Sequence, residues 1–459
     1  MEQTKTNDLG TKPVGKLLLS LALPAIAAQL VNMLYNIVDR MYIGHIPEIG
    51  ATALTGVGVA FPIIMVISAF SALIGMGGAP LASIKMGEKD RQGARGILGN
   101  CFIALFILSL LLMVLFFIFG KDFLLMFGAS QNTIDYALGY LNIYLIGTPF
   151  VLFALGLNAF ISAQGFAKTS MMTVLIGAVI NIILDPVFIF LFGMGVQGAA
   201  LATIISQAIS AFWVLRFLSG EKSFLRLRKD VLHFSWSVLL PVLALGVSPF
   251  IMQSTESLLS IVLNSSLQRY GGDLAVGSMT ILTSIMQVLL MPLMGLTQGA
   301  QPIISYNYGA RQTERVRQAF RLLLISCISY TLIFWLSVML LPQIFIALFT
   351  SQAQLSSFSV WAVRIYLGAA FMMGAQIACQ QTFIAVGQAK ISLFLALLRK
   401  IFLLIPLIYI LPCFFADKVF AVFLAEPIAD ALATCTTLSV FIFKFKKLLT
   451  VQVTEGEKE

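Results

Sequence analysis

Long apolar stretches recur along the chain from near its beginning to near its end. Twelve of them approach or exceed the roughly 20 residues that a helix needs to cross a bilayer. The predicted crossings are 17–43, 52–75, 96–120, 134–162, 170–193, 196–218, 236–264, 274–300, 318–343, 357–383, 391–416 and 419–443. No run of short alternating segments suggests a transmembrane β-barrel. The pattern therefore predicts an all-α polytopic membrane protein.

The most charged linker inside the core, EKSFLRLRKD, follows the sixth predicted crossing and divides the twelve into two sets of six. Each set is predicted to form one lobe. The predicted divisions are an N-terminal tail 1–16, a first lobe 17–218, a basic linker 219–235, a second lobe 236–443 and a C-terminal tail 444–459.

The two halves match at a constant offset of 222 residues, as between Gly87 and Gly309 or between Gly165 and Gly387. Six crossings is an even number, so both halves enter the membrane from the same side and are related by an axis along the membrane normal. We therefore predict two pseudo-symmetric six-helix lobes around a central cavity. This arrangement favours an alternating-access transporter, although single-chain channels can be duplicated too.

Composition agrees with a membrane protein, since 59% of the residues are hydrophobic, 11% are charged and the mean hydropathy is +0.96. The net charge of +9 reflects an uneven distribution of the 29 Lys and Arg residues. If the amino terminus is inside, 22 of them fall in or beside inside segments, which obeys the positive-inside rule. The charge therefore predicts an inner (cytoplasmic) membrane protein with both termini cytoplasmic, and it does not indicate nucleic acid as a partner.

Motifs for other kinds of chemistry are missing from the sequence. The five cysteines lie in apolar stretches without the spacing of a disulfide framework or a zinc site. No nucleotide-binding loop and no catalytic triad or metalloprotease motif occurs. We expect a protein that is not an enzyme and has no cofactor. An ion gradient, of H⁺ or Na⁺, would supply the energy of active transport.

Five acidic residues fall inside predicted helices, where a charge is costly and marks a functional residue by default. They are Asp39, Asp185, Glu256, Glu426 and Asp430. Helical spacing and depth place six polar residues of the first lobe at heights or on faces where they could share one ion-coupling site, and these are Asp39, Asp185, Asn181, Thr203, Asn158 and Tyr140. Two carboxylates with amide and hydroxyl oxygens suit a shared proton, or Na⁺ at Asp39, Asn181, Asp185 and Thr203. An inert hydrogen-bonded polar core is the alternative.

The second half lacks this acid pair, because the offset of 222 maps Asp39 to Ile261 and Asp185 to Leu407. A C-lobe polar network is predicted instead from Arg399, Glu426 and Asp430. The depth of Arg399 matches that of Asp430, so we predict an ion pair of Arg399 with Asp430 or with Glu426. The alternative is that Arg399 reaches the inner interface along a tilted helix.

Other polar and soft side chains on the predicted inner faces are candidates for binding the transported compound. They are Gln29, Asn32, Tyr35, Asn36, Gln207, Gln253, Glu256 and Met286. Thioethers adapt to varied apolar cations, although most Met residues of such a chain serve packing. Pro24 is predicted to bend the helix that carries Asp39.

Several segments together resemble the multidrug and toxic compound extrusion (MATE) family, especially its DinF-like and MepA-like bacterial branches. They are LALPAIAAQLVNMLYNIVDRMYIG from Leu21, GAPLASIKMGEKD from Gly78, AQGFAK from Ala163, NIILDPVFIF from Asn181 and LAEPIAD from Leu424. The resemblance implies two six-helix lobes that export organic cations in exchange for protons or sodium.

The resemblance also implies roles for particular residues. Four residues match the first-lobe ion site of DinF-like members, with Tyr140 and Asn158 in the same network: Asp39, Asn181, Asp185 and Thr203. Pro24 matches the proline at which helix one bends. Glu256 resembles the helix-seven glutamate of the NorM-like branch, but Gln380 and Gln381 occupy the region of its helix-ten aspartate, which puts a NorM-type cation site in doubt.

These observations predict a multidrug efflux antiporter whose partners are small organic cations and the lipid bilayer, acting as a monomer. The alternative within the same superfamily is a flippase for lipids or lipid-linked oligosaccharides. Its anionic cargo would need a basic cavity, whereas intramembrane acids outnumber bases five to three. A channel or a receptor-like sensor is a more distant alternative.

Overall fold

The computed structural model describes residues 8–350 and 352–456, which contain helices and no strands. The α-helices are α1 Val14–Gly44, α2 Gly50–Gly87, α3 Arg91–Met126, α4 Ile134–Ile146, α5 Thr148–Leu152, α6 Asn158–Ala163, α7 Ala167–Pro186, α8 Gly195–Ser219, α9 Trp236–Gly309, α10 Thr313–Leu340, α11 Pro342–Ala347, α12 Ala353–Tyr366, α13 Met373–Ala385, α14 Ala389–Leu397, α15 Ile405–Ile410 and α16 Lys418–Gly456. Three π-helical segments continue α5, α7 and α14, namely Phe153–Leu157, Val187–Leu191 and Leu398–Leu404.

The described helices account for twelve crossings. Nine spans are long and apolar enough to cross a membrane, and two bent pairs, α4 with α5–α6 (64°) and α12 with α13 (48°), add one each. Helix α9 has 74 residues, about 110 Å at 1.5 Å per residue, and leaves helical geometry at Gly272 (φ 63°, ψ −160°). It therefore supplies two crossings. The predicted all-α fold with twelve transmembrane helices is confirmed.

Some predicted boundaries differ from those of the structure. The first helix begins at Val14 rather than at 17, and the last continues to Gly456 rather than ending at 443, so much of the predicted C-terminal tail is helical. Within the predicted linker 219–235, Lys229–Val231 forms a 3-10 turn. Residues 1–7 and 457–459 of the two predicted tails lie outside the described residues.

The internal repeat appears as repeated local geometry. Ser83 donates its hydroxyl hydrogen to the carbonyl of Ala163 (3.3 Å), and Ser305 donates to Ala385 (2.7 Å). All four residues are related by the offset of 222. Gly165 and Gly387, related by the same offset, both have positive φ, 88° and 75°, at a turn that follows a helix. The two halves thus fold alike, as pseudo-symmetric lobes.

Each lobe has its own apolar core. Ile67, Leu105 and Phe160 are fully buried in the first, and Leu282 and Phe383 in the second. The first turns of α1 pack with the core of the second lobe, through the buried residues Val14, Leu17, Leu18, Leu21 and Ala22. Later, α1 packs against α7 of the first lobe. Helix α1 is therefore shared between the lobes.

The lobes meet at the ends of α2 and α9, next to the α2–α3 and α9–α10 turns. We call this end of the molecule the basic end. A Cβ atom on Gly87 would lie 2.0 Å from the Tyr306 carbonyl oxygen, and one on Gly309 would lie 2.0 Å from that of Ile84. These four residues form two pairs at the offset of 222, so the pseudo-twofold axis passes between them. Backbone therefore contacts backbone at the basic end, and only glycine fits there.

Hydrogen bonds join the lobes in this same half of the molecule. Gln29 Nε2 donates to Gln298 Oε1 (3.2 Å), and the Ser83 hydroxyl reaches the Pro302 carbonyl (3.4 Å). On α9, Gly246 faces Leu73 of the first lobe so closely that a Cβ atom would lie 1.7 Å from its carbonyl oxygen. Two turns further along, Gln253 continues the face that Gly246 begins. We call this stripe of α9 the inter-lobe face.

Candidate functional site

Helices α1 and α7 bring Asp39 and Asp185 together. The two carboxyl groups lie within hydrogen-bonding distance of each other. Asp185 is fully buried, and so is the Oδ1 atom of Asp39. The sequence places these residues 146 positions apart, so their contact depends on α1 crossing over to the first lobe. The predicted acid pair is thus present in the structure.

An amide and a hydroxyl complete the arrangement. Asn181, one turn before Asp185, donates Nδ2–H to Asp185 Oδ1 (3.1 Å) and reaches Thr203 Oγ1 on α8 (3.4 Å). Thr203 donates its own hydrogen to the Ala199 carbonyl (3.0 Å), so its oxygen is left as an acceptor. The phenol of Tyr140, which is 4% exposed, lies within hydrogen-bonding distance of Thr203. Five of the six predicted ion-coupling residues therefore lie together.

Three oxygen atoms in this cluster are buried and have no hydrogen-bond partner among the described residues. They are Asp39 Oδ1, Asn181 Oδ1 and Asp185 Oδ2. Buried polar atoms are rarely left unsatisfied, and exceptions point to a functional role or to an ion or water at the site. A proton between the carboxyl groups would satisfy the two carboxyl oxygens, and Na⁺ held by the oxygens of Asp39, Asn181, Asp185 and Thr203 would satisfy all three. The oxygen-only set fits a hard monovalent cation.

Asn158 does not join this cluster, which corrects its predicted place. It donates to the Ser170 carbonyl (3.2 Å) and accepts a hydrogen bond from the Thr173 hydroxyl (3.0 Å). The prediction placed Asn158 on the face of Tyr140 by counting five regular turns. The π-helical segment Phe153–Leu157 and the 64° bend interrupt that count, because a π-turn adds a residue to the helical period.

The polar residues of α1 have separate positions. Tyr35 lies one turn before Asp39, with its phenol beside Asn36 and near both acids. Asn36 itself donates to the Asn32 carbonyl (2.7 Å), and Gln29 bridges the lobes through Gln298. Helix α1 runs without interruption through Pro24. The bend predicted at this proline is therefore not present as a break in the helix.

On the remaining helices, Gln207 lies half-buried one turn after Thr203, and Gln253 lies half-buried on the inter-lobe face. Met286 is only 7% exposed and packs in the core of the second lobe. It lies nine residues before Gly295, which contacts α1, and nine residues rotate an α-helix by two and a half turns. Met286 therefore faces away from the opposite lobe, and its role as a binding residue stays a prediction.

Arg399 pairs with both predicted partners rather than with one. Its Nε donates to Asp430 Oδ1 (2.6 Å), and its Nη2 donates to Glu426 Oε1 (3.0 Å). Both acids are buried, whereas the guanidinium is slightly exposed. The second lobe thus contains a cluster of one base and two acids in place of the acid pair of the first.

The ion pair between Lys400 and Glu256 was not predicted from the sequence. The Lys400 ammonium donates to Glu256 and to the Met252 carbonyl (2.7 Å), and Gln380 reaches the Met252 sulfur (3.5 Å). Glu256 is therefore not the free acid that its predicted binding role assumed. The signal in the sequence was a second base, beside Arg399, inside an apolar stretch.

Comparisons with known proteins identify the family of the chain. The sequence model of the MatE family matches residues 24–187 and 249–410. The chain is 25% identical over 439 residues to the multidrug export protein MepA of Staphylococcus haemolyticus (strain JCSC1435), covering 95% of each chain. It is 23% identical over 445 residues to MepA of Staphylococcus aureus (strain N315), covering 96% of each.

Solved structures show the same fold. One is a crystal structure of MATE in the bent conformation, with a TM-score of 0.91, 22% identity, and 98% of this chain and 99% of that chain covered. Another is the outward-facing conformation of a multidrug resistance MATE family transporter of the MOP superfamily, with a TM-score of 0.90, 23% identity and the same coverage. Since the family model matches both lobes and more than half of the residues, this chain belongs to the MatE family.

Proposed function

We propose that this protein is a secondary active multidrug exporter that exchanges amphipathic organic cations for H⁺ or Na⁺. The observation that carries the proposal is the buried pair Asp39 and Asp185 with three unpartnered oxygen atoms around it. The MepA relatives, which are named multidrug export proteins, support the direction and the substrate class. The protein acts as a monomer in this proposal.

Coupling follows from the charge of the acid pair. With the ion bound, the pair carries less negative charge and attracts a cationic compound less, so ion and compound exclude each other. Each elementary charge that moves inward down a membrane potential of 100 mV releases roughly 2.3 kcal/mol, and moving a singly charged cationic compound outward costs the same amount. In a one-for-one exchange the concentration gradient of the ion therefore drives export, and a tenfold ion gradient, about 1.4 kcal/mol, sustains a tenfold gradient of the compound.

The orientation comes from the positive-inside rule, which puts the basic end and both termini on the cytoplasmic side. The contacts between the lobes described above lie in this half of the molecule, where Gly87 meets Tyr306 and Gln29 meets Gln298. We infer that the conformation is closed to the cytoplasm and open to the outside. In it the acid pair would exchange its ion with the external solution.

The flippase alternative is less favoured by the second lobe. An anionic pyrophosphate cargo needs bases that are free to bind it. Arg399 is engaged by Asp430 and Glu426, and Lys400 is engaged by Glu256. The charges that would attract such a cargo are already neutralised inside the protein.

Transport in proteoliposomes tests the proposal. Purified wild type, Asp39→Asn and Asp185→Asn are reconstituted, and ethidium movement is followed with an imposed pH gradient or an imposed sodium gradient. We expect wild type to respond to one gradient and each variant to lose at least about tenfold in rate, since each removes a charge that the ion must neutralise. Asp122→Asn, an exposed acid at the end of α3, is the matched control and should transport normally.

Two outcomes would contradict the proposal. Ethidium movement by wild type that ignores both gradients would show that transport is not ion-coupled. Coupled movement that persists in both variants would show that the ion binds elsewhere.

A further inference from the structure

One ion pair of the second lobe combines a buried base with an exposed acid. The side chain of Lys400 is 5% exposed, whereas that of Glu256 is 66% exposed. The Met252 carbonyl fixes the ammonium from the other side (2.7 Å). The base is therefore held in place, and the acid is the mobile partner.

Glu256 lies beside the inter-lobe face of α9. Gly246 contacts Leu73 of the first lobe, Gln253 follows two turns later on the same face, and Glu256 follows Gln253 by three residues. The polar residues Ser260 and Asn264 extend this side of the helix further from the basic end. The carboxylate thus borders the gap between the lobes, which the proposed function makes the path of the exported compound.

Two neighbouring bases of the π-helical segment Leu398–Leu404 serve different acids, because consecutive side chains of a helix point in different directions. Arg399 and Lys400 are consecutive, yet Arg399 binds Asp430 and Glu426 on α16, whereas Lys400 binds Glu256 on α9. The acids of α16 hold Arg399 on their side. Lys400 is left as the base that borders the gap.

We propose that the Lys400–Glu256 pair is a recognition site for zwitterionic amphipathic compounds, which carry a cation and a carboxylate in one molecule. This inference rests on the proposed export function. A compound with only a positive charge must break the ion pair in order to bind Glu256. The buried ammonium of Lys400 is then left without its carboxylate partner. A zwitterion replaces both partners, because its cation binds Glu256 while its carboxylate binds Lys400. Lys400 thus determines the charge type that the second lobe accepts.

A matched pair of dyes tests this selectivity. Rhodamine B carries a free carboxylate and is a zwitterion at neutral pH, whereas its ethyl ester is a cation of nearly the same shape. Binding of both to purified full-length protein in detergent is measured by equilibrium dialysis at neutral pH, with detergent alone as the blank. We expect wild type to prefer rhodamine B. Lys400→Met should weaken the binding of rhodamine B and strengthen the binding of the ester. We expect each dissociation constant to change by about tenfold, which corresponds to the loss or gain of one ion pair.

Two further variants control this result. Lys390→Met removes an exposed base on α14 and should leave both affinities unchanged. Glu256→Gln should weaken the binding of both dyes, since both use the carboxylate. If Lys400→Met fails to fold because it leaves Glu256 unpaired, the double variant Lys400→Met with Glu256→Gln removes both charges and should bind the two dyes equally.

The outcomes separate this inference from the proposed function. An unchanged preference in Lys400→Met or in the double variant would overturn the recognition site, even while ion-coupled export of ethidium persists. A wild-type preference for the ester would overturn it as well. If wild type binds neither dye and does not export ethidium, both the recognition site and the export function are wrong.

Discussion

Arg399 is the side chain on which two buried carboxylates of the second lobe depend. Replacing it with Met should destabilise the protein by about 3–5 kcal/mol, because Asp430 and Glu426 would stay buried without their counter-ion. The thermal unfolding temperature in detergent is the measurement. Arg364→Met, at an exposed arginine of α12, should unfold like wild type. If Arg399→Met is equally stable, the cluster has no structural role.

Asn181 is the residue that connects the acid pair to Thr203. Asn181→Ala removes the amide that orients Asp185 and one oxygen of the proposed ion site. We expect about tenfold weaker apparent ion affinity, a loss on the scale of one charge-assisted hydrogen bond, with the maximal rate less affected. The measurement is ethidium transport at varied pH and sodium concentration. Gln197→Ala, at an exposed residue in the first turn of α8, is the control, and an equal effect there would refute a specific role for Asn181.

Individual residues differed in how far the sequence could predict them. Asp39, Asn181 and Asp185 were predictable because charge inside an apolar helix is rare, and because residues four apart share a face. Asn158 and Met286 were misplaced, since a π-turn and the orientation of α9 decide which way they point. The pairing of Lys400 with Glu256 depends on how α9 packs against the helix that carries Lys400. No local sequence pattern predicts this packing.

Among the helices, α1 is the one whose shape is most affected when the lobes move, since it contacts both lobes and contains Pro24. Proline lacks the N–H that would bond the Ser20 carbonyl, so the helix can bend there at low cost. Pro24→Ala should stiffen α1 and slow ethidium exchange several-fold while ion binding at Asp39 is retained. Exchange rates and sodium- or proton-dependent thermal stabilisation separate the two effects. Pro342→Ala, at the first turn of α11, is the control; unchanged exchange in Pro24→Ala would show that α1 need not bend.

Helices as elements were predictable because the apolar runs match the thickness of a bilayer. Their irregularities were not. The 64° and 48° bends and the non-helical residue Gly272 arise where crossings fold against their neighbours. The last helix continues past the apolar run, where the Lys and Leu residues of the segment 444–449 are good helix formers, and it ends at Gly456.

For the whole molecule, transport requires the two lobes to separate at the basic end. Gln29 and Gln298, which hydrogen-bond across the lobes, offer a site for a reversible link. Cysteines at both positions, joined through disulfide bonds by a short bis-methanethiosulfonate linker, should stop ethidium exchange, and a reductant that cleaves these bonds should restore it. The control is a link between cysteines at Ser248 and Ser392, which bond each other inside the second lobe (2.7 Å). If ethidium exchange continues when positions 29 and 298 are linked, this result would contradict alternating access.

The backbone contacts of Gly87 with Tyr306 and of Gly309 with Ile84 have an electrical consequence. A membrane protein that opens a path for ions must insulate that path whenever no cargo is bound. Side chains leave crevices that water can wet, whereas two helices in backbone contact leave none at that point. A larger residue at either glycine would push the lobes apart and let a file of water molecules pass between them. The first effect of such a substitution would be an ion leak through a transporter that still binds its ion. The cell would then lose its membrane potential.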